Sequence, residues 1–133
     1  MSRKEVVSTG KPFSAVGPYS QAVKAGPFLF VSGQIPVDPQ TGQLVEGTIE
    51  EKIGRVLDNV DEILKAAGCS FDDLVKVTVF ARDMSIFSDF NKIYAARFRE
   101  SFPARSFVEV SNLPRGVDLE VEAIALLPGA DEA

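Results

Sequence analysis

The sequence contains no histidine and one cysteine among 133 residues. The first absence removes the usual zinc-ligand sets, the Ser–His triads and the default general base together. Any proton transfer must fall to carboxylates, tyrosines, lysines or a water held by the backbone. The second absence excludes an internal disulfide and fits a reducing, cytoplasmic setting. Cys69 follows Gly68 at the end of a helical pattern, with no base or basic cluster beside it, and reads as structural. No apolar run approaches the roughly 18 residues of a membrane span. The leading MSRKEVVSTGK carries Arg3 and Lys4 but no apolar stretch behind them, so neither a membrane partner nor a signal peptide is expected. Basic residues are outnumbered, 14 Lys and Arg against 19 Asp and Glu, for a net charge of −5. Such a surface repels phosphate backbones, and the densest basic cluster, Arg97 with Arg99, is followed at once by Glu100; nucleic acid is not expected as a partner.

What is present is a globular composition, 45% hydrophobic and 25% charged, without repeat, linker or low-complexity tract. Residues 1–133 read as a single domain, its tail from 129 to 133 expected to fray. After a first strand, residues 21–24 and 28–31 form strand-like runs around the turn Ala25-Gly26-Pro27, the pattern of a hairpin. Asp38-Pro39-Gln40-Thr41-Gly42 is a second turn signal ahead of the short Leu44-Val45 run. From Thr48 the period changes: Ile49, Ile53, Val56, Leu57, Val60, Ile63, Leu64 and Ala67 recur at spacings of three and four, an amphipathic helix that Gly68 stops. Ser70-Phe71-Asp72-Asp73 resembles a capping box on one brief helical turn. Val75, Val77 and Val79 then alternate as a strand, residues 85–99 return to the helical period, and strands follow near 106–110 and 118–127. The outcome is an α+β domain with a mixed six-stranded sheet and two helices. Two helices cover one face of such a sheet, yet the last strand is apolar on both faces toward its end. The uncovered patch predicts an oligomer.

Period-two geometry sorts the candidate residues. Arg105, behind Pro103 at a strand mouth, shares a side with Phe107 and Glu109; its planar fork suits a carboxylate gripped by two parallel bonds. Glu122 stands where the face carrying Asp118, Glu120, Ile124 and Leu126 passes from wet to dry, a position where desolvation raises a carboxyl pKa and a neighbouring guanidinium lowers it. From residue types alone, solvation of both charges, or their pairing with each other, is the commoner reason for such residues than a ligand site. Tyr19 lies in a Gly-Pro turn before a strand, and Gly33 could bring free backbone groups close to a ligand. Asn91 sits at helical spacing from Phe87, Tyr94 and Phe98, beside the apolar stripe, where a buried amide needs a partner.

In the order they occur, GPYSQA, FVSGQIP with VDPQTG behind it, NVDEILKAAGCSFDDLVKVTVF, FNKIYAARF, PARSFVEVSNLPRG and LEVEAIA resemble the Rid family, the reactive intermediate deaminases of the RidA/YjgF type. The resemblance runs from about Gly17 to Ala125. It implies a chorismate-mutase-like fold, with the two helices on one sheet face, and a homotrimer whose three sheets form an inner barrel with sites between subunits. It also implies a metal- and cofactor-independent deaminase that hydrolyses 2-iminobutanoate, 2-iminopropanoate and enamines such as 2-aminoacrylate, released by amino-acid dehydratases, to 2-keto acids and ammonia. On that resemblance Arg105 clamps the substrate carboxylate, Glu122 stands beside the attacking water, Tyr19 and Asn91 lie in or near the cleft, and Gly33 contributes a backbone wall. An imine is already electrophilic, so a positioned water and a tuned carboxylate suffice without histidine. Many RidA-type members carry cysteine where this chain has Phe107, which is expected to narrow the cleft and bear on substrate range. The competing readings are a chorismate-mutase-like isomerase, a ligand-binding regulatory or holdase protein of the same fold, and a ribonuclease, the last disfavoured by the acidic balance and the missing histidine.

Overall fold

The computed structural model describes residues 3–13 and 15–129. Apart from Gly129, the tail expected to fray lies outside the described residues. Six strands, β1 (Lys4–Val7), β2 (Ala22–Ala25), β3 (Phe28–Gln34), β4 (Leu74–Ala81), β5 (Ala104–Glu109) and β6 (Leu119–Leu126), form one sheet in the order β1-β2-β3-β6-β4-β5. Only β4 and β5 pair in parallel, so the sheet is mixed. Helices α1 (Ile49–Ala66) and α2 (Phe87–Ala95) lie on one face. The architecture is the α+β arrangement expected from the sequence.

Each element has a local cause. Thr48 and Glu51 close a capping box at the start of α1: Glu51 N donates to Thr48 Oγ1 and Thr48 N donates to Glu51 Oε1, both at 3.2 Å. Gly68, at φ +78°, turns the chain out of the helix in the left-handed conformation that glycine takes without steric cost. The apolar stripe of α1 is buried at Ile53, Val56, Leu57, Val60, Ile63 and Leu64. It covers Leu29 and Val31 of β3, Val77 and Val79 of β4, and Val121, Ala123 and Ala125 of β6, all buried. The alternate residues of those strands face away from the helices. There Phe30 is 43% exposed, and Phe28 and Val108 are exposed as well.

The second helix is shorter than its periodicity implied. A 3-10 turn at Met84–Ile86 precedes it, and α2 ends at Ala95 although Phe98 still packs against the core. Arg97 N and Phe98 N donate to carbonyls three residues back, Tyr94 O and Ala95 O, at 3.0 and 3.4 Å. Beyond them Asp72 Oδ1 accepts from Arg99 N and Glu100 N at 3.0 and 3.2 Å. The tightened turn and this side-chain acceptor replace the next helical bonds. The Leu44-Val45 run contributes only an isolated bridge between Leu44 and Val37.

The chain after β3 is braced by Asn59 of α1, a buried amide. Its Nδ2 donates to Ile35 O at 3.1 Å and Val37 O at 2.9 Å, while Oδ1 accepts from Arg55 Nε at 3.0 Å. Asn59→Ala removes the side-chain donor from Val37 O and one of the two donors to Ile35 O, which keeps Val37 N at 2.7 Å, and is expected to lower the unfolding free energy by about 1–3 kcal/mol. Urea titration at fixed protein concentration checks this. An unchanged midpoint would mean that solvent serves those carbonyls equally well.

Candidate functional site

The parallel register sets Val77 beside Arg105 and Val79 beside Phe107. Val77 and Val79 belong to the helix-covered face, so Arg105 and Phe107 do too, at the sheet edge where α2 lies across β5. The segment leading into α2 is held by Glu109 Oε1, which accepts from Met84 N at 2.8 Å, and by Asp83 Oδ1, which accepts from Ser85 N at 2.8 Å. The Arg105 guanidinium carbon then stands 5.6 Å from the ring centre of Phe87, 5.7 Å from Phe90, 5.1 Å from Tyr94 and 5.6 Å from Phe107. Each cation–π contact contributes on the order of 0.5–1 kcal/mol, more when water is excluded. The rings hold the fork without neutralising it: among the described residues no carboxylate pairs with Arg105. Asn91, Tyr94, Ala95, Phe102, Pro103 and Arg105 line a recess of about 310 Å³. Phe107 lies outside that lining and packs edge-on against Phe87 and Phe90, as part of the cage around the cation.

Asn91 and Tyr94 line this recess, but Asn91 Oδ1 and the Tyr94 hydroxyl are sealed from solvent and have no hydrogen-bond partner among the described residues. Burial pushes the Tyr94 phenol up to about 12, against the opposing charge of Arg105, so it stays protonated at neutral pH. The sequence reading counted Tyr94 only in the apolar stripe of α2; its one signal was its position three residues after Asn91, on the same side of the helix.

Glu122 lies elsewhere. It pairs in register with Thr78, which alternates with the buried Val77 and Val79, so it projects from the open face of the sheet. Arg105 and Glu122 therefore point to opposite faces, and one chain does not bring them together. Glu122 joins Tyr19, Ser32, Gly33, Ile35, Pro114 and Glu120 around a second recess of about 460 Å³. Tyr19 stands at its rim, 51% exposed. The half-buried carboxylate expected at Glu122 is instead Glu120, two residues earlier; Glu122 is exposed. A Cβ at Gly33 would fall 2.7 Å from the Glu120 carboxyl carbon, inside contact distance, so the glycine is what admits that carboxylate against the β3 backbone. Burial pushes the Glu120 carboxyl up, and the Glu122 charge pushes it further. Period-two alternation put both glutamates on this face; which one is covered depends on the β3 irregularity between Val31 and Gln34, which sequence pattern does not reveal.

Among the described residues no group of acidic or cysteine side chains is placed to hold a metal ion. Cys69 is buried, and burial pushes its thiol up, away from thiolate chemistry. No helix among the described residues is long and apolar enough to cross a membrane.

A family model described as Endoribonuclease L-PSP matches residues 9–127. A RutC family protein of Pyrococcus horikoshii is 53% identical over 122 residues, 92% of this chain and 97% of that protein. The 2-iminobutanoate/2-iminopropanoate deaminase of Mus musculus is 48% identical over 123 residues, 92% of this chain and 91% of its own. The crystal structure of E. coli TdcF with bound serine superimposes with a TM-score of 0.86 at 41% identity, covering 92% of this chain and 98% of that one.

The folded chain holds a proton on Glu120 to higher pH than the unfolded chain does, so ionised Glu120 costs stability at neutral pH. That cost fades as pH falls through its raised pKa toward the ordinary glutamate value. Glu122→Gln removes the second cause and is expected to move the Glu120 midpoint down, as followed by carbon-detected NMR titration of the side-chain carboxyl. A midpoint that stays in place would show that the two carboxylates do not interact.

Proposed function

The chain belongs to the Rid family, the group matched as Endoribonuclease L-PSP, and from that premise we propose that it hydrolyses short 2-imino acids and their enamine tautomers to 2-keto acids and ammonia. The observation that carries this reading is Arg105, a half-buried cation with no carboxylate partner among the described residues, held by rings beside a recess of about 310 Å³. The mammalian relatives are named for this deamination, and the TdcF structure holds serine, a small molecule with the same carboxylate. The Pyrococcus horikoshii relative is named only as a RutC family protein.

On this reading the guanidinium grips the substrate carboxylate in two parallel bonds. Water adds to the protonated imine carbon, giving one proton to the Glu120 carboxylate; the carboxyl returns it to the carbinolamine nitrogen, and the C–N bond breaks to release ammonia. The hydroxyl gives up its proton as it becomes the keto oxygen, leaving one proton to depart with the ammonia as ammonium. Glu120 serves as the base, since a raised pKa makes a carboxylate more willing to take the proton. This moves the role first given to Glu122 by two residues and leaves Glu122 as the charge that tunes it. Tyr19 and the Gly33 backbone form the wall of the same half. Because the halves sit on opposite sheet faces, a second copy must complete the site, the Arg105 recess of one chain meeting the Glu120 recess of the next. The exposed Phe28, Phe30 and Val108 supply the apolar surface such a homotrimer would bury. The setting proposed is the cytoplasm, beside the dehydratases whose products it would clear. A ribonuclease role fits less well, since the net charge of −5 and the missing histidine offer a phosphodiester little.

Supplied with threonine dehydratase and threonine, the protein is expected to accelerate the appearance of 2-ketobutyrate and ammonia from the released imine. Glu120→Gln should slow this on the order of 100-fold, with a smaller loss for Glu122→Gln. Arg105→Lys should weaken 2-ketobutyrate binding roughly 30- to 150-fold, because an ammonium cannot reproduce the two-bond grip. Retained keto-acid binding without any acceleration would favour a ligand-binding role instead.

Light scattering at micromolar concentration should report about three chains per particle. A monomer at that concentration would leave the two half-sites apart and sink the mechanism.

A further inference from the structure

The four rings around Arg105 are not equivalent. Phe90 and Tyr94 belong to the buried core and stack on each other with centres 5.2 Å apart. Phe87, the first residue of α2, is 40% exposed, and its one ring contact among the described residues is with Phe107, at 5.0 Å between centres. Phe107 also meets Phe90, at 5.5 Å. It therefore ties the exposed part of the cage to the buried part, from a position two residues beyond Arg105 on the same side of β5.

We infer that Phe107 is a positioning residue, holding Phe87 in place and, through both rings, fixing the Arg105 fork before an acid arrives; the inference rests on the reading of Arg105 given above. A long side chain that must be ordered on binding subtracts that entropy from the affinity, whereas one ordered beforehand does not. With no carboxylate among the described residues to order Arg105, the aromatic faces take that task. Phe107 does not line the recess, so it acts through the guanidinium and not on the ligand. Its effect falls on the carboxylate that all such acids share and does not sort them by side chain, in contrast to the role in substrate range expected from the sequence.

Phe107→Leu removes the ring and keeps an apolar side chain against the core. Calorimetric titration is expected to show pyruvate and 2-ketobutyrate weakened alike, roughly 5- to 30-fold, the effect of losing the two contacts made by Phe87 and Phe107. Pentafluorophenylalanine in place of Phe107 keeps the shape of the ring and reverses the charge on its face. It should weaken both acids as well, with an unchanged urea midpoint, and NMR relaxation of the ligand-free protein should show a more mobile Arg105 Nε–H group in both variants. Unchanged affinity and mobility in both overturn the inference and leave the Arg105 reading intact. So does a loss in Phe107→Leu alone, because the ring would then act by packing only, and so does a loss for one acid alone, because Phe107 would then touch the ligand. A wild-type protein that binds neither acid removes the Arg105 reading itself, and this inference with it.

Discussion

The parallel pairing of β4 with β5, in register from Lys76–Ala104 to Ala81–Glu109, is the constraint on which the rest depends. A strand sends successive side chains to opposite faces, and neighbours in register share a face. Burial of Val77 and Val79 under the helices therefore commits Arg105 and Phe107 to the same side. A slip of one residue would turn Arg105 to the open face and bring Ser106 under α2. The antiparallel pairing of β4 with β6 imposes the converse, placing Glu120 opposite Phe80 and Glu122 opposite Thr78, away from the helices. The separation of cation from carboxylates is thus a result of sheet parity.

Within each half, different forces tune the charge. Arg105 is held by aromatic faces, which stabilise a cation yet leave its hydrogen-bonding capacity unspent. A carboxylate in place of those rings would have neutralised the guanidinium. Glu120 is tuned by the opposite means, partial loss of water and a like charge beside it. Both arrangements leave a charged group without an ion-pair partner among the described residues.

Much of this was legible in the sequence. Two periods, 3.6 and 2, located both helices and the strands, and the run Ile53 to Leu64 gave the buried stripe of α1 residue by residue. The shared side of Arg105 and Phe107 followed from alternation alone. Alternation within each strand could not say whether the sides of β5 and β6 coincide, because that depends on β4 lying between them in the sheet order. The irregularity in β3 that covers Glu120 more than Glu122 leaves no mark on hydrophobic period. Tyr94 was hidden for another reason: an aromatic at core spacing is read as packing, and only the orphaned hydroxyl distinguishes it. The early end of α2 was equally out of reach, because Asp72, which takes up the next amides, lies more than twenty residues earlier.

The two edges of the sheet differ in character from its open face. Edge strand β1 is four residues long, presents Lys4 and Glu5 to solvent, and is tied across to β2 by the Glu5–Lys24 pair at 3.6 Å. The opposite edge, β5, is entered through Pro103, which has no N–H to offer, and its last residue, Glu109, spends its carboxylate on the Met84 amide. Charge, brevity and proline discourage an incoming strand, whereas the flat side with Phe28 and Phe30 invites contact. A copy of the chain approaching this sheet would therefore meet a face more readily than an edge, and a contact through faces consumes the surface that drives it, whereas edge pairing leaves a new edge open at every step.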